Sequence, residues 1–162
     1  MEAVEAVGGD VDGIREVLEY YSERGVLTPR TSAYLKRHLG EFYVCREGGK
    51  IAGCCALHRI GDDVAEIRCF AVKDEFAGRG AGRALLNACI AKARACGLKR
   101  VFSLSLEKEF FRKNGFVRMG KQRIPLKTFK SHPELSPNKT FRWMMLFAKM
   151  LVKDSAHEMR LV

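Results

Sequence analysis

A mixed α/β fold is what the sequence predicts, and three observations predict it. Strand-like and helix-like periodicities alternate along the chain in the order β-α-α-β-β-β-α-β-α-β-β. Two β-rich runs are joined by Glu47-Gly48-Gly49-Lys50, a hairpin signal. A further β-rich run, Ile67 to Val72, leads through a loop with three glycines in five positions, Gly78, Gly80 and Gly82, into Ala84, Leu85 and Leu86, which open a helix.

Taken in order, Ala3 to Val7 reads as a first edge strand, with Asp10 or Asp12 capping the next element. Ile14, Val17, Leu18 and Tyr21 fall at i, i+3, i+4 and i+7, an amphipathic helix that Gly25 ends. Pro29 breaks the following loop, and Thr31 or Ser32 caps a second short helix through Leu39. Phe42–Glu47 and Lys50–Ile60 are the hairpin strands, Gly61-Asp62-Asp63 turns the chain, and Val64–Val72 enters the glycine loop. Gly82–Cys96 is the main helix, with Leu86, Ile90 and Ala93 in register and Gly97 past its end. Arg100–Leu106 alternates Val101, Ser103 and Ser105 against Phe102, Leu104 and Leu106, as a strand does. Lys108–Asn114 is a short helix stopped by Gly115, and Phe116–Gly120 begins another strand. Gln122 to Lys139, with Pro125, Pro133 and Pro137, is loop-like; Phe141–Leu151 reads as a final strand ahead of a polar, frayed tail.

Composition narrows the function classes. A length of 162 residues predicts one domain, its core about residues 3–151. No apolar run approaches the ~20 residues a membrane span needs, and Met1-Glu2-Ala3-Val4-Glu5 lacks the basic and apolar regions of a leader. A cytoplasmic protein with no membrane partner is expected. The six cysteines sit in apolar periodic segments without a Cys-x-x-Cys pair, and Cys54 and Cys55 point to opposite faces of a strand, so buried reduced thiols are expected rather than a metal centre. The four histidines are scattered without metal-ligand spacing. Residues 1–98 hold 14 Lys/Arg and 14 Asp/Glu, residues 99–162 hold 15 and 5, so the net charge of +10 lies wholly in that C-terminal part. A basic surface suits nucleic acid or an acidic small molecule. A nucleic-acid-binding or regulatory module is the non-enzyme alternative, and the lack of aromatic-plus-basic interleaving and of helix-turn-helix spacing counts against it.

The glycine loop carries the chemistry. The first turn of a helix has backbone N–H groups without intrahelical partners, and the helix dipole adds partial positive charge. Glycines let the backbone approach a phosphate closely, and Arg79 and Arg83 add charge that can fork onto its oxygens. Gly82 is followed by Arg83-Ala84 rather than Lys-Ser/Thr, which excludes a Walker loop, and the third glycine of the dinucleotide fingerprint is missing.

The run Ala77-Gly78-Arg79-Gly80-Ala81-Gly82 resembles the acetyl-coenzyme A loop of the GNAT superfamily of N-acetyltransferases, Gln/Arg-x-x-Gly-x-Gly/Ala ahead of a long helix, with Ala77 in the leading position. That resemblance implies a central, mostly antiparallel sheet flanked by helices and splayed between its fourth and fifth strands, with Phe70, Ala71 and Val72 facing the pantetheine arm and residues 77–83 gripping the diphosphate. Further segments narrow it: Leu27-Thr-Pro-Arg-Thr31, Gly53-Cys-Cys-Ala-Leu-His58, Ala65-Glu-Ile-Arg-Cys-Phe-Ala-Val72, Phe110-Phe-Arg-Lys-Asn-Gly-Phe116 and Ile124-Pro125 together are similar to the acetyltransferase domain of N-acetylglutamate synthases, over residues 5–151. No amino-acid-kinase segment precedes them, which predicts the stand-alone form.

The implied reaction is acetyl transfer from acetyl-CoA to the α-amine of L-glutamate by direct attack in a ternary complex, the opening step of arginine synthesis. Another amino acid or a protein amine is the enzymatic alternative; polyamines are disfavoured because a basic pocket repels them. Glu66 is the candidate base, matching the family's Ala-Glu-Ile/Leu segment. The Phe70 N–H is the candidate oxyanion donor. Ser105, or Ser103 on the same face, is the candidate proton donor to the thiolate, because Phe110-Phe111 stands where many GNAT enzymes carry a tyrosine. Two substrate carboxylates call for arginines: Arg30, braced by Pro29, with Arg68, Arg112 and Lys127 as further candidates. Asn114 stands where the related synthases often carry an arginine. Dimerisation through the last strands is an expectation by analogy with the fold.

Overall fold

The structure, a computed structural model, describes residues 1–119 and 145–150. The proline-rich loop, Lys127, both ends of the final strand and the tail lie outside the described residues. Among the described residues the chain forms β1 (Ala3–Glu5), α1 (Val11–Ser22), α2 (Ser32–Arg37), β2 (Phe42–Glu47), β3 (Lys50–Arg59), β4 (Val64–Val72), α3 (Ala81–Ala95), β5 (Arg100–Ser105), α4 (Lys108–Lys113), β6 (Val117–Met119) and β7 (Met145–Met150). Short 3-10 turns at Gly8–Asp10, Leu39–Glu41 and Asp74–Phe76 join some of them.

The strands make one sheet in the order β1-β2-β3-β4-β5-β7-β6. Every neighbouring pair is antiparallel except β4 and β5, which run parallel. Helix α3 covers one face, its Leu85, Leu86, Cys89, Ile90 and Ala93 packed with Ala65, Ile67 and Val101 of the sheet. Helices α1 and α2 cover the other, where Ile14, Val17, Leu18 and Leu35 meet Phe42, Val44, Cys54 and Ala56. Each fully buried leucine contributes about 1.5–3 kcal/mol, which fixes the three helices on the sheet. Cys54 and Cys55 do point to opposite faces, one into each cluster.

Local chemistry explains most boundaries. The Thr31 side chain accepts from the Tyr34 N–H at 3.1 Å and starts α2, so Thr31 rather than Ser32 is its cap. Asp10 and Asp12 do not cap α1 through their side chains. Asp10 sits in a helical backbone conformation within the preceding turn, so its carboxylate reaches back to accept from the Val7 N–H at 2.7 Å and pairs with Arg46 at 2.6 Å. Cys96 also departs from expectation: it stands at the C-terminal end of α3 and is exposed, while the other five thiols are buried.

Two backbone features shape the middle of the sheet. The β3–β4 register slips between Cys54 and Ala56, and Cys69 takes φ of 52° there, a left-handed conformation that bends β4 at a bulge. Opposite the end of β4, a Cβ on Gly53 would stand 2.7 Å from the Ala71 carbonyl oxygen and 3.1 Å from the Val72 Cα. Glycine there lets β3 hold the far half of β4 tightly.

Candidate active site

The glycine loop ends in a bare helix terminus. Gly78 and Gly80 take φ of 74° and 85°, conformations that L side chains resist, and Gly80 is the residue from which α3 starts. Among the described residues no side chain caps that end, and the first amide with a helical partner is that of Ala84, which donates to the Gly80 carbonyl at 3.0 Å. The amides of Ala81, Gly82 and Arg83 therefore meet the loop opening, as an anion cradle requires. A Cβ on Gly82 would lie 3.3 Å from the Phe110 ring, so glycine also keeps α3 and α4 close.

Beside this cradle the sheet opens. Strands β4 and β5 pair at Val64↔Arg100, Ala65↔Val101 and Glu66↔Phe102, and no further pair follows. The bulge at Cys69 turns β4 away from β5, and a cavity of about 750 Å³ occupies the split. One wall is Ile67 to Val72 and the other Ser103 to Glu107, with the glycine loop at one end. Tyr21 of α1 closes a side: its hydroxyl donates to the Val72 carbonyl and, at 3.1 Å, to Asp74. Burial, together with the Asp74 hydrogen bond, pushes the Tyr21 phenol up to about 12, so it stays a donor.

The opposite end holds two arginines. Arg30, from the Pro29 loop, and Arg68, from β4, both line the cavity and both lie over the ring of Tyr34, at 4.7 and 5.8 Å from its centroid. Arg68 Nη2 is 3.3 Å from Glu41 Oε2. The same carboxylate meets His58 Nδ1 at 2.9 Å and His38 Nδ1 at 3.0 Å. Burial opposes its charge, but the bonds to His58 and His38 and the nearby Arg68 outweigh that and lower the Glu41 carboxyl from 4.5 to about 2.

The proton-handling candidates sit where the strands part. Glu66 is buried at the last β4–β5 pair, one residue before the split. Ser103 is buried and its hydroxyl donates to the Ile67 carbonyl at 2.8 Å, which commits its proton. Ser105 accepts from the Glu107 N–H at 3.0 Å, a bond that leaves its own O–H as a donor. Both serines line the cavity.

Residues 13–120 match the model of the Acetyltransferase (GNAT) family. The chain belongs to that family. Among curated relatives, an amino-acid acetyltransferase of Azotobacter vinelandii is 37% identical over 123 residues, which are 75% of this chain and 28% of that protein. An uncharacterized N-acetyltransferase of Chlorobaculum tepidum is 31% identical over 75% of this chain and 78% of its own length. N-acetylglutamate synthase from Neisseria gonorrhoeae, complexed with coenzyme A and N-acetyl-glutamate, superposes with a TM-score of 0.83 at 29% identity, over 94% of this chain and 35% of that one. Rv2747 from Mycobacterium tuberculosis, in complex with CoA and NLQ, superposes with a TM-score of 0.82 at 27% identity, over 94% and 100% of the two chains. This chain thus spans little more than a quarter of the length of the amino-acid acetyltransferases it matches.

Within this GNAT chain the sequence-predicted residues divide by position. Phe70, Ala71, Val72, Ala77, Gly78 and Gly80 line the cavity, as do Ala81, Gly82 and Arg83. Arg30, Arg68 and Ser105 line it too. Arg79 is turned aside: it pairs with Glu47 at 2.9 Å and lies over Phe76, outside the lining. Arg112 is exposed on α4, bonded to Glu109 at 2.7 Å, and also outside it. Glu66 lies behind the wall rather than in it. Tyr21, Tyr34, Glu41 and His58 were not legible as site residues, because they come from α1, α2, the turn before β2 and β3 and meet only in the fold. The one available signal was register: antiparallel β3 and β4 put His58 opposite Glu66 and Ala56 opposite Arg68, which places all four on one face.

Proposed function

We propose that this chain is an acetyl-CoA-dependent N-acetyltransferase whose acceptor is the α-amine of an amino acid, L-glutamate first among them. One observation carries the reading: a single cavity runs from the uncapped glycine loop to two guanidinium groups, past the point where β4 and β5 separate. The first end suits a diphosphate, the second suits carboxylates, and a thioester spanning the split meets the amine between them. The coenzyme A complexes of the two structural neighbours support the donor, and the N-acetyl-glutamate complex of the first supports the acceptor.

The residues divide the work as follows. Arg30 and Arg68 hold the substrate carboxylates and so orient the amine toward the split. Glu66 receives the amine proton, through a water where the cavity wall intervenes. The nitrogen lone pair then forms the new C–N bond at the thioester carbonyl while the Phe70 amide, on the bulged segment of β4, donates to the developing oxyanion. The C–S bond breaks with its electron pair on sulfur, the Ser105 hydroxyl protonates the thiolate, and the second proton shed by the nitrogen as the amide forms returns to Ser105 through water. Net, the α-ammonium gives up two protons, one to Glu66 and on to solvent and one to sulfur, and no covalent enzyme intermediate forms. Ser105 is preferred to Ser103 because the Ser103 proton is already given to Ile67.

The reading carries with it the role the family resemblance implies, the opening step of arginine synthesis, in the cytoplasm. Among the described residues no helix is long and apolar enough to cross a membrane. The experiment is thiol release from acetyl-CoA across a panel of amino acids and amines. Glutamate is expected to give the highest kcat/KM, and a panel in which only non-amino-acid amines respond would overturn the acceptor assignment.

A further inference from the structure

We propose that Glu41 is the positioning residue of the acceptor site: it fixes the Arg68 guanidinium at the cavity wall, while His38 and His58 fix Glu41. The inference rests on the amino-acid acceptor reading above and extends it to a residue that touches neither substrate.

Four elements build this arrangement. Glu41 ends the 3-10 turn Leu39–Glu41, His38 ends α2, and His58 and Arg68 lie on one face of β3 and β4, His58 opposite Glu66 and Arg68 opposite Ala56. Both carboxylate oxygens are used, Oε1 by His38 at 3.0 Å and Oε2 by His58 at 2.9 Å and Arg68 at 3.3 Å. Glu41 itself is not part of the cavity wall.

The physics favours a clamp. The Arg68 side chain is only 8% exposed, and a guanidinium buried to that degree needs a counter-charge. Glu41 provides it at one nitrogen. Among the described residues Arg68 meets a carboxylate through Nη2 alone, and the side chain lines the cavity. One part of the fork is therefore anchored while another donor remains for an incoming carboxylate. Because Tyr34 lies beneath the guanidinium, Arg68 has already lost most of its rotamer freedom before substrate arrives, and that pre-organisation lowers the entropic cost of binding.

The alternative use of the cluster is a cation site, since His38, Glu41 and His58 each present a ligand atom within 4.8 Å of the others. Arg68 argues against it. Its guanidinium already neutralises Glu41 Oε2, and a divalent ion among these ligands would be crowded by that like charge.

The test is steady-state kinetics on the full chain with its best amino-acid acceptor. Glu41→Gln keeps the shape and removes the charge; the KM for the amino acid is expected to rise about 10-fold, with kcat and the KM for acetyl-CoA within about twofold of wild type. In an Arg68→Met background the same substitution is expected to add nothing, because Glu41 acts through Arg68. Thermal melting identifies folded variants, and His58→Gln, which loosens Glu41 without removing it, is expected to move the same KM in the same direction. Unchanged kinetics in Glu41→Gln, a fall in kcat alone, or a Glu41→Gln penalty that persists in full without Arg68 would each overturn the inference while leaving the acceptor reading intact. A wild-type protein that acetylates no amino acid overturns that reading and this inference with it.

Discussion

Ser103 Oγ donates to the Ile67 carbonyl at 2.8 Å, across the place where β4 and β5 stop pairing. The bond replaces a ladder hydrogen bond with a side-chain tie, holding the strands together just below the split. Two neighbouring serines on one face of β5 are thereby given different tasks. Ser105→Ala is expected to lower kcat roughly 10- to 100-fold with little change in melting temperature. Ser103→Ala strips a buried carbonyl of its donor and is expected to cost about 1–3 kcal/mol of stability, measured by urea unfolding, with a smaller fall in kcat.

The glycine loop makes a separate prediction. Gly80 takes φ of 85° as the residue that starts α3, a conformation a β-branched side chain does not tolerate. Gly80→Val is expected to weaken coenzyme A binding at least 10-fold in calorimetry, by pulling the first-turn amides out of line. Arg79→Ala is expected to change that affinity by less than about threefold, because Arg79 is committed to Glu47 on the exposed surface.

Arg30 is expected to act on the acceptor alone. It lines the cavity at the end away from the glycine loop and lies 4.7 Å over the Tyr34 ring. Arg30→Ala should raise the KM for the amino acid by at least 10-fold and leave the KM for acetyl-CoA nearly unmoved, as initial rates at varied concentrations of both substrates will show. Equal effects on the two constants would remove Arg30 from the acceptor site.

The parts of this account legible in the sequence are those that local patterns encode. The bounds of β2 and β4, the hairpin between β2 and β3 and the glycine loop follow from alternation and turn chemistry, and the structure places them as read. The splay between β4 and β5 came from family resemblance. Its physical cause, the bulge at Cys69, was invisible, because a cysteine with φ of 52° carries no sequence signal of that conformation. Glu41 was equally hidden: its partners lie 3, 17 and 27 residues away, and only the fold of the sheet brings them to one carboxylate. Arg79 and Arg112 read as ligand-binding arginines by type and neighbourhood; in the fold each pairs with an exposed carboxylate, Glu47 and Glu109, outside the cavity lining.

The Glu41 cluster also sets an acid limit on stability. Its carboxyl falls from 4.5 to about 2 in the folded protein, so the folded state binds this proton less readily than the unfolded chain. The contribution is fully present above about 4.5 and is lost as pH falls through about 2. In Glu41→Gln, which cannot titrate there, the loss of stability between these pH values, followed by denaturant unfolding, is expected to be shallower than in wild type.

The most direct measurement is product identification by mass spectrometry after incubation of the protein with acetyl-CoA and L-glutamate. N-acetylglutamate formed in step with free coenzyme A, and abolished together with thiol release in the Gly80→Val variant, is the predicted result. Coenzyme A bound at the glycine loop with no acetylated amino acid from glutamate or any other candidate would contradict the account.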